Sequence, residues 1–394
     1  MKYNFSKGMA ELKPSAIREI LKNSGDTIPF SAGNPAPDAF PIDDVRMITD
    51  YVLKKEPVLA LQYGITEGYT PLVDELTELA HNRYKVGTDN DSVIVVSGAT
   101  QIMSLVTHCF INPGDTVICE NPSFIGSLNC FRSSGTRLVG VSVESDGINI
   151  EELEIALKSN QNVKFIYTIP NFQNPTGVTM SYEKRVRMYD LAKKYNVLIL
   201  EDNPYGDLRV SGKEIPSIKS LDTEGLVIYA GSFSKVIAPG IRVGFVVSPS
   251  EISAKLTVAK QTQDVHTAML SQLIVYEWLK AGKINDHVIK IREIYRRKLN
   301  LMCDNLDNEL SGYLTYNRPD GGLFVWAELN KEIDMISFVK KASQNGVSVV
   351  PGNAFLTDGS QSTQYIRLNF STPSDKGIVD GVRILAETAK EMRK

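Results

Sequence analysis

The chain is poor in the residues that build metal centres and disulfide frameworks. Its four cysteines, Cys109, Cys119, Cys130 and Cys303, form no CxxC pair, so a thiolate metal knuckle is not expected. They lie in apolar or mixed stretches, which suits reduced thiols in a cytoplasmic protein. The four histidines show no HxxxH or HExxH spacing, and no metal site is expected. Long apolar runs are missing as well. No stretch approaches the ~18 to 20 apolar residues of a membrane span, so no membrane partner is expected. The opening Met1-Lys-Tyr-Asn-Phe-Ser6 leads into no apolar core of a signal peptide. A basic excess is absent. The formal net charge is -3, whereas proteins that hold nucleic acid usually carry a positive one. No repeat, low-complexity tract or Pro/Gly/Ser linker interrupts the chain.

What is there reads as an α/β protein. At 394 residues the chain exceeds the usual single core, so two domains are expected. A short helix is expected over 10–23, with Ile17, Ile20 and Leu21 at helical spacing and Arg18 on another face. Phe30 to Pro37 follows as a rigid segment in which helix is disfavoured. Short apolar runs at 92–96, 115–119, 137–143, 163–168, 197–200, 226–230 and 243–247 then alternate with amphipathic stretches. That alternation predicts a mostly parallel seven-stranded sheet flanked by helices. Past about residue 250 the pattern turns to long helices and a few strands, a smaller α+β domain. The expected division is 1–45 for an N-terminal helix and arm that belongs with the small domain, 46–285 for the large domain, and 286–394 for the C-terminal small domain.

In parallel sheets ligands bind beyond the C-terminal ends of the strands. Each expected strand end here carries polar residues: Ser97-Gly98-Ala99-Thr100-Gln101, then Asn171 with Asn174-Pro175-Thr176-Gly177, then Asp202 with Tyr205, then Ser232-Phe233-Ser234-Lys235. The first is a Gly turn into a helix, whose free backbone N–H groups can take an anion. The last places one lysine among small hydroxyl residues, with Arg242 seven positions on. A lysine that must attack a carbonyl cofactor needs such a setting, where burial or a nearby cation frees its amine. Ser232, Ser234 and Arg242 would hold a phosphate.

Taken in this order, the strand-end residues resemble the fold-type I, aspartate-aminotransferase-like enzymes that use pyridoxal 5′-phosphate. The resemblance covers nearly the whole chain. Ser15-Ala16-Ile17-Arg18, Gln62-Tyr63-Gly64, Phe172-Gln173-Asn174-Pro175 and Arg318-Pro319-Asp320-Gly321-Gly322 bring it nearest to the α-aminoadipate and kynurenine aminotransferases. It implies that Lys235 holds the cofactor as an imine and shuttles the α-proton. Asp202 would pair with the ring nitrogen, while Asn174 and Tyr205 would bond the ring's 3′ oxygen. Phosphate would be held by Gly98, Ala99, Thr100, Ser232, Ser234 and Arg242, with Tyr63 reaching it from the partner subunit of a homodimer with shared sites. Phe124 would stack on the ring, and Asn171 is placed among the cofactor-binding residues.

Arg367 would grip the substrate α-carboxylate with help from Asn174 and the backbone near Gly33, and Arg18 would meet a distal carboxylate. The implied reaction moves an amino group from an L-amino acid to a 2-oxo acid such as 2-oxoglutarate. Two alternatives share the cofactor apparatus: a β-lyase acting on sulfur amino acids, and a non-catalytic regulator of the MocR type. The second carries a DNA-binding domain ahead of the matched region, and here the match starts almost at residue 1.

Overall fold

The computed structural model describes residues 3–12 and 27–393. Arg18 and most of the helix expected over 10–23 lie outside them; the described part holds a short helix, Lys7–Glu11. The first strand, β1 (Ile28–Pro29), is two residues long. One large sheet follows, built from β2 (Asp91–Val96), β3 (Thr116–Asn121), β4 (Arg137–Glu144), β5 (Gly147–Ile148), β6 (Val163–Thr168), β7 (Leu198–Asn203), β8 (Val227–Ser232) and β9 (Gly244–Pro249). Its order is β2-β9-β8-β7-β6-β3-β4-β5. Seven strands were expected and eight are present, because the two-residue β5 pairs antiparallel at the edge of β4. Such a short element carries no periodic signal in sequence.

Pairing is parallel from β8 through β7, β6 and β3 to β4. The edge strand β2 runs antiparallel to β9, and β9 runs antiparallel to β8. So β2 points the same way as β8, and the C-terminal ends of six strands open on one edge. The strand residues alternate between two cores. Val117, Cys119, Phe165, Tyr167 and Leu200 face one, and Ile118, Ile166 and Ile199 face the other. A strand buried on both faces needs apolar residues at every position, which is why these runs are continuous rather than alternating. Helices Ala99–Phe110, Ser250–Gln263 and Met269–Lys280 cover the first face, and Ile150–Ser159 with Tyr182–Tyr195 covers the second.

The 26-residue helix Ile284–Glu309 leads to a second sheet. There β10 (Leu314–Tyr316), β11 (Phe324–Leu329), β13 (Val350–Pro351) and β14 (Tyr365–Asn369) pair antiparallel in the order β10-β11-β14-β13. A further strand, β12 (Val347–Ser348), pairs in parallel with β1. The segment after β1 is pinned rather than a free linker, with Phe30 to Ala32, Pro35 and Ala36 buried and Asn34 and Pro37 exposed. Phe30 is fully buried, its carbonyl accepts from Asn369 N, and Asn34 O accepts from Ser371 Oγ at 2.6 Å. The N-terminal stretch thus lies across the C-terminal sheet, with Gly33 carried to the end of β8.

Candidate active site

Lys235 stands three residues beyond β8, in a turn. Its Nζ donates to Gly33 O at 2.7 Å, and no carboxylate pairs with it among the described residues. Burial, then the positive charges of Arg367 and Arg242, push its pKa down to about 8. An ammonium denied an anion gives up its proton more easily, so this amine is neutral in much of the population at slightly alkaline pH.

Arg367 comes from the middle of β14 and is almost fully buried. Its Nη1 donates to Asn174 Oδ1 at 3.0 Å, and its Nη2 to Ser31 O and Ala32 O at 2.9 and 3.1 Å. The guanidinium lies over Phe324, 4.2 Å from the ring centre, and near Phe355 at 5.0 Å. Its Nε has no partner, and no carboxylate pairs with the group among the described residues. Burial lowers its pKa to about 10. A buried cation without a counter-ion is costly to fold around, and a ligand carboxylate would complete it.

Asp202 lies near the end of β7 and is also buried. Oδ2 accepts from Tyr167 Oη at 2.8 Å, and Oδ1 has no partner. Burial raises its pKa to about 7, against the hydrogen bond from Tyr167. Tyr205, at the turn past β7, lies 3.4 Å from Asn174 Nδ2, and burial raises its pKa. Asn174 therefore touches both Arg367 and Tyr205, joining the two sheets.

A third group forms an anion cradle. Gly98 precedes helix Ala99–Phe110, adopts a left-handed φ of 84°, and offers no side-chain cap to the first turn. Arg242, also left-handed at φ 55°, sends Nη2 to Ser97 O at 2.8 Å. A Cβ at Gly98 would collide with that guanidinium, so only glycine lets the arginine close over the helix N-terminus. Ala99 and Thr100 supply the free N–H groups. Ser232 and Ser234 sit half-buried at the end of β8, with Ser232 Oγ accepting from Ser234 N at 3.2 Å. Phe124 is half-buried just ahead of helix Ile125–Ser133. Tyr63 is 81% exposed and touches His266 edge-on.

One expectation does not fit this grouping. Asn171, three residues before Asn174, has both ends of its amide engaged elsewhere. Oδ1 accepts from Arg185 Nη2 at 2.7 Å, and Nδ2 donates to Asn203 Oδ1 at 2.9 Å. It lines a cavity of about 700 Å³ with Arg83, Asn203, Asp207 and Arg209, not with Lys235 or Asp202. Arg18 lies outside the described residues.

Sequence reasoning missed Tyr167, Ser127 and Glu120. Tyr167 and Ser127 stand in a strand and a helix with no motif around them. Glu120 ends the apolar run of β3 and accepts from Thr168 Oγ1, Ile169 N and Gln173 Nε2. Gln173 Oε1 in turn accepts from Thr176 N at 2.9 Å. A buried carboxylate thus clamps the turn that presents Asn174. Its place directly before Asn121-Pro122 was the one available hint.

Comparison with known proteins agrees with this geometry. The family described as aminotransferase class I and II matches residues 26–384. The chain is 39% identical to aromatic-amino-acid aminotransferase 1 of Thermococcus litoralis, over 99% of this chain and 95% of that one. It is 36% identical to the 2-aminoadipate transaminase of Thermus thermophilus, over 98% and 96%. Among solved structures, a kynurenine aminotransferase of Pyrococcus horikoshii superimposes with a TM-score of 0.95 at 36% identity, covering 99% of this chain and 98% of that one.

Proposed function

The chain belongs to the class I and II aminotransferases, pyridoxal-phosphate enzymes, and from that premise we propose how its residues divide the work. The residues present fit the cofactor. Asp202 Oδ1 is a buried acceptor without a donor, as a ring N–H requires, and the Gly98–Arg242 cradle faces an anion with a helix N-terminus. Lys235 would hold the cofactor covalently. Asp202 would take the ring nitrogen, Tyr205 and Asn174 the 3′ oxygen, and Phe124 one ring face. Gly98, Ala99, Thr100, Ser232, Ser234 and Arg242 would bind the phosphate. Bound, the cofactor supplies the carbonyl that accepts the amino group and the ring that stabilises a carbanion. Lys235 Nζ then moves the proton at the substrate Cα, a task suited to an amine with pKa about 8.

The observation that carries the substrate class is Arg367. It is a buried cation with no carboxylate beside it among the described residues and with Nε unpartnered, and one α-carboxylate would complete it. The donors we propose are 2-aminoadipate and glutamate, with aromatic and branched amino acids also accepted, and 2-oxoglutarate as acceptor. Relatives acting on aromatic amino acids and on 2-aminoadipate support that part of the range. Arg18 would meet the distal carboxylate of acidic donors.

We also propose a cytoplasmic homodimer with shared sites. Ile42, Met47, Tyr51, Val58, Leu61 and Tyr63 form an exposed apolar set around helices Ile42–Lys55 and Pro57–Leu61. Such a set fits a second copy, which would bring its Tyr63 to the phosphate. Among the described residues no helix is long and apolar enough to cross a membrane. The large domain would run from 46 to 285, with 1–45 and 286–394 making the small one.

The test is a panel of amino acids with 2-oxoglutarate, reading glutamate formed. Acidic and aromatic donors should give glutamate, and Arg18→Ala should lower kcat/KM for 2-aminoadipate by roughly ten- to hundredfold while leaving leucine within a few-fold. Pyruvate and ammonia from cysteine conjugates, without glutamate, would point to a lyase instead.

A further inference from the structure

The two oxygens of Asp202 are in different circumstances. Oδ1 has no partner. Oδ2 accepts from Tyr167 Oη at 2.8 Å, and Tyr167 Oη lies 2.8 Å from Ser127 Oγ. The three residues come from β7, β6 and helix Ile125–Ser133, and all are buried. The direction of the chain is forced by chemistry. An ionised carboxylate only accepts, so Tyr167 must donate to it, and Ser127 must then donate to Tyr167. Tyr167 is the sole side-chain donor to Asp202 among the described residues. Two other buried carboxyls near this sheet edge are engaged elsewhere, Glu120 with Thr168, Ile169 and Gln173 and Glu201 with Ile218 N and Lys219 N. Tyr167 and Asp202 are both shut away from bulk solvent: Tyr167 is fully buried, with Phe131 packed edge-on at 5.3 Å, and Asp202 is buried as well.

We propose that Tyr167, oriented by Ser127, is a positioning residue that keeps the proton shared between Asp202 and the cofactor's ring nitrogen on the nitrogen. The proposal rests on the pairing of Asp202 with that nitrogen set out above. Two bases then compete for one proton in a dry site. A donor to the carboxylate stabilises its charged form and lowers its hold on the proton. Burial works the other way and raises Asp202 to about 7 even with Tyr167 in place. Without Tyr167 nothing opposes burial, and the proton moves from the nitrogen to Oδ1. The ring loses the positive charge that makes it an electron sink, and the charge-assisted bond becomes a neutral one. Ser127 matters because a tyrosine hydroxyl has one proton. With its acceptor side filled by Ser127, that proton points at Asp202.

The test uses holoenzyme loaded with pyridoxal phosphate labelled with nitrogen-15 in the ring, read by NMR. In the wild type the ring nitrogen should show the shift of a protonated pyridine. Tyr167→Phe keeps the ring and removes only the hydroxyl. It should move the signal toward the unprotonated range and weaken cofactor affinity about tenfold. Ser127→Ala should move it the same way by less, and carries the test if Tyr167→Phe does not fold. Asp202→Asn is the control on the underlying pairing and should abolish the protonated signal. If Asp202→Asn moves the signal while Tyr167→Phe and Ser127→Ala leave it in place, Tyr167 is plain packing and the proposal falls alone. An unchanged signal in Asp202→Asn would overturn the pairing itself, and this proposal with it.

Discussion

Two lysines, the buried Lys219 and the half-buried Lys235, stand on connections flanking β8 and have opposite surroundings. The Lys219 ammonium lies 2.6 Å from Asp91 and 2.8 Å from Asp222. Asp222 also accepts from Leu226 N and Val227 N, and Lys219 N donates to Glu201. Lys235 has a carbonyl for company, Gly33 O, and two arginines as its nearest charges. Two buried arginines repeat the contrast. Arg185 donates to Met180 O, Ile215 O, Pro216 O, Pro170 O and Asn171 Oδ1, so all its nitrogens have partners. Arg367 leaves Nε without one. Burial lowers both guanidinium groups to about 10. Burial alone therefore does not distinguish a reactive group from a structural one. In these two pairs missing partners do, and a bound ligand can supply what Lys235 and Arg367 lack.

The sharpest way to break this contrast is to exchange consequences. Lys235→Ala should abolish transamination while the protein stays folded, because the side chain holds no ion pair. Borohydride reduction of the wild type should fix the cofactor on a peptide containing Lys235. Labelling of Lys219 or Lys260 instead would end the assignment. Lys219→Met should do the reverse. It leaves Asp91 and Asp222 buried without their cation, which costs about 3 kcal/mol of stability, near the low end for a broken buried pair because Asp222 keeps backbone donors. Denaturant melts should show that loss, while activity per folded molecule changes little.

The smallest effect concerns Arg367 and pH. Arg367→Gln should lower kcat/KM for all amino-acid donors by roughly ten- to hundredfold. It also removes a positive charge that holds the Lys235 pKa near 8. The neutral amine is the attacking form, so cofactor uptake by the apoenzyme should rise with pH through about 8. In Arg367→Gln the rise should come at higher pH. A midpoint that does not move would show that burial and Arg242 set the Lys235 pKa without Arg367.

Much of this was legible before the fold was seen. The continuous apolar runs that became β3, β6, β7 and β8 mark strands buried on both faces. The small and polar residues after them mark where each strand stops. Lys235, Asp202 and Asn174 could be named because each lies at or a few residues past the end of such a run, in an order that resembles a known family. Asn171 shows the limit. It lies in the same loop as Asn174, and local sequence gives no reason to separate them. The fold does, because Arg185 and Asn203 reach one amide and Arg367 with Tyr205 reaches the other.

The sequence by itself determined the strand and helix alternation, the fold class and the linear order of the strand-end residues. These follow from side-chain period and backbone stereochemistry, which act over a few neighbours. Only the tertiary structure decided that Phe30 to Ala32 is buried beside β14, that Gly33 meets Lys235, and that Tyr167 gives its one proton to Asp202. Those contacts join residues 35 to more than 300 positions apart. Which donor meets which acceptor across that distance depends on strand order and register, and no local pattern of residues encodes either.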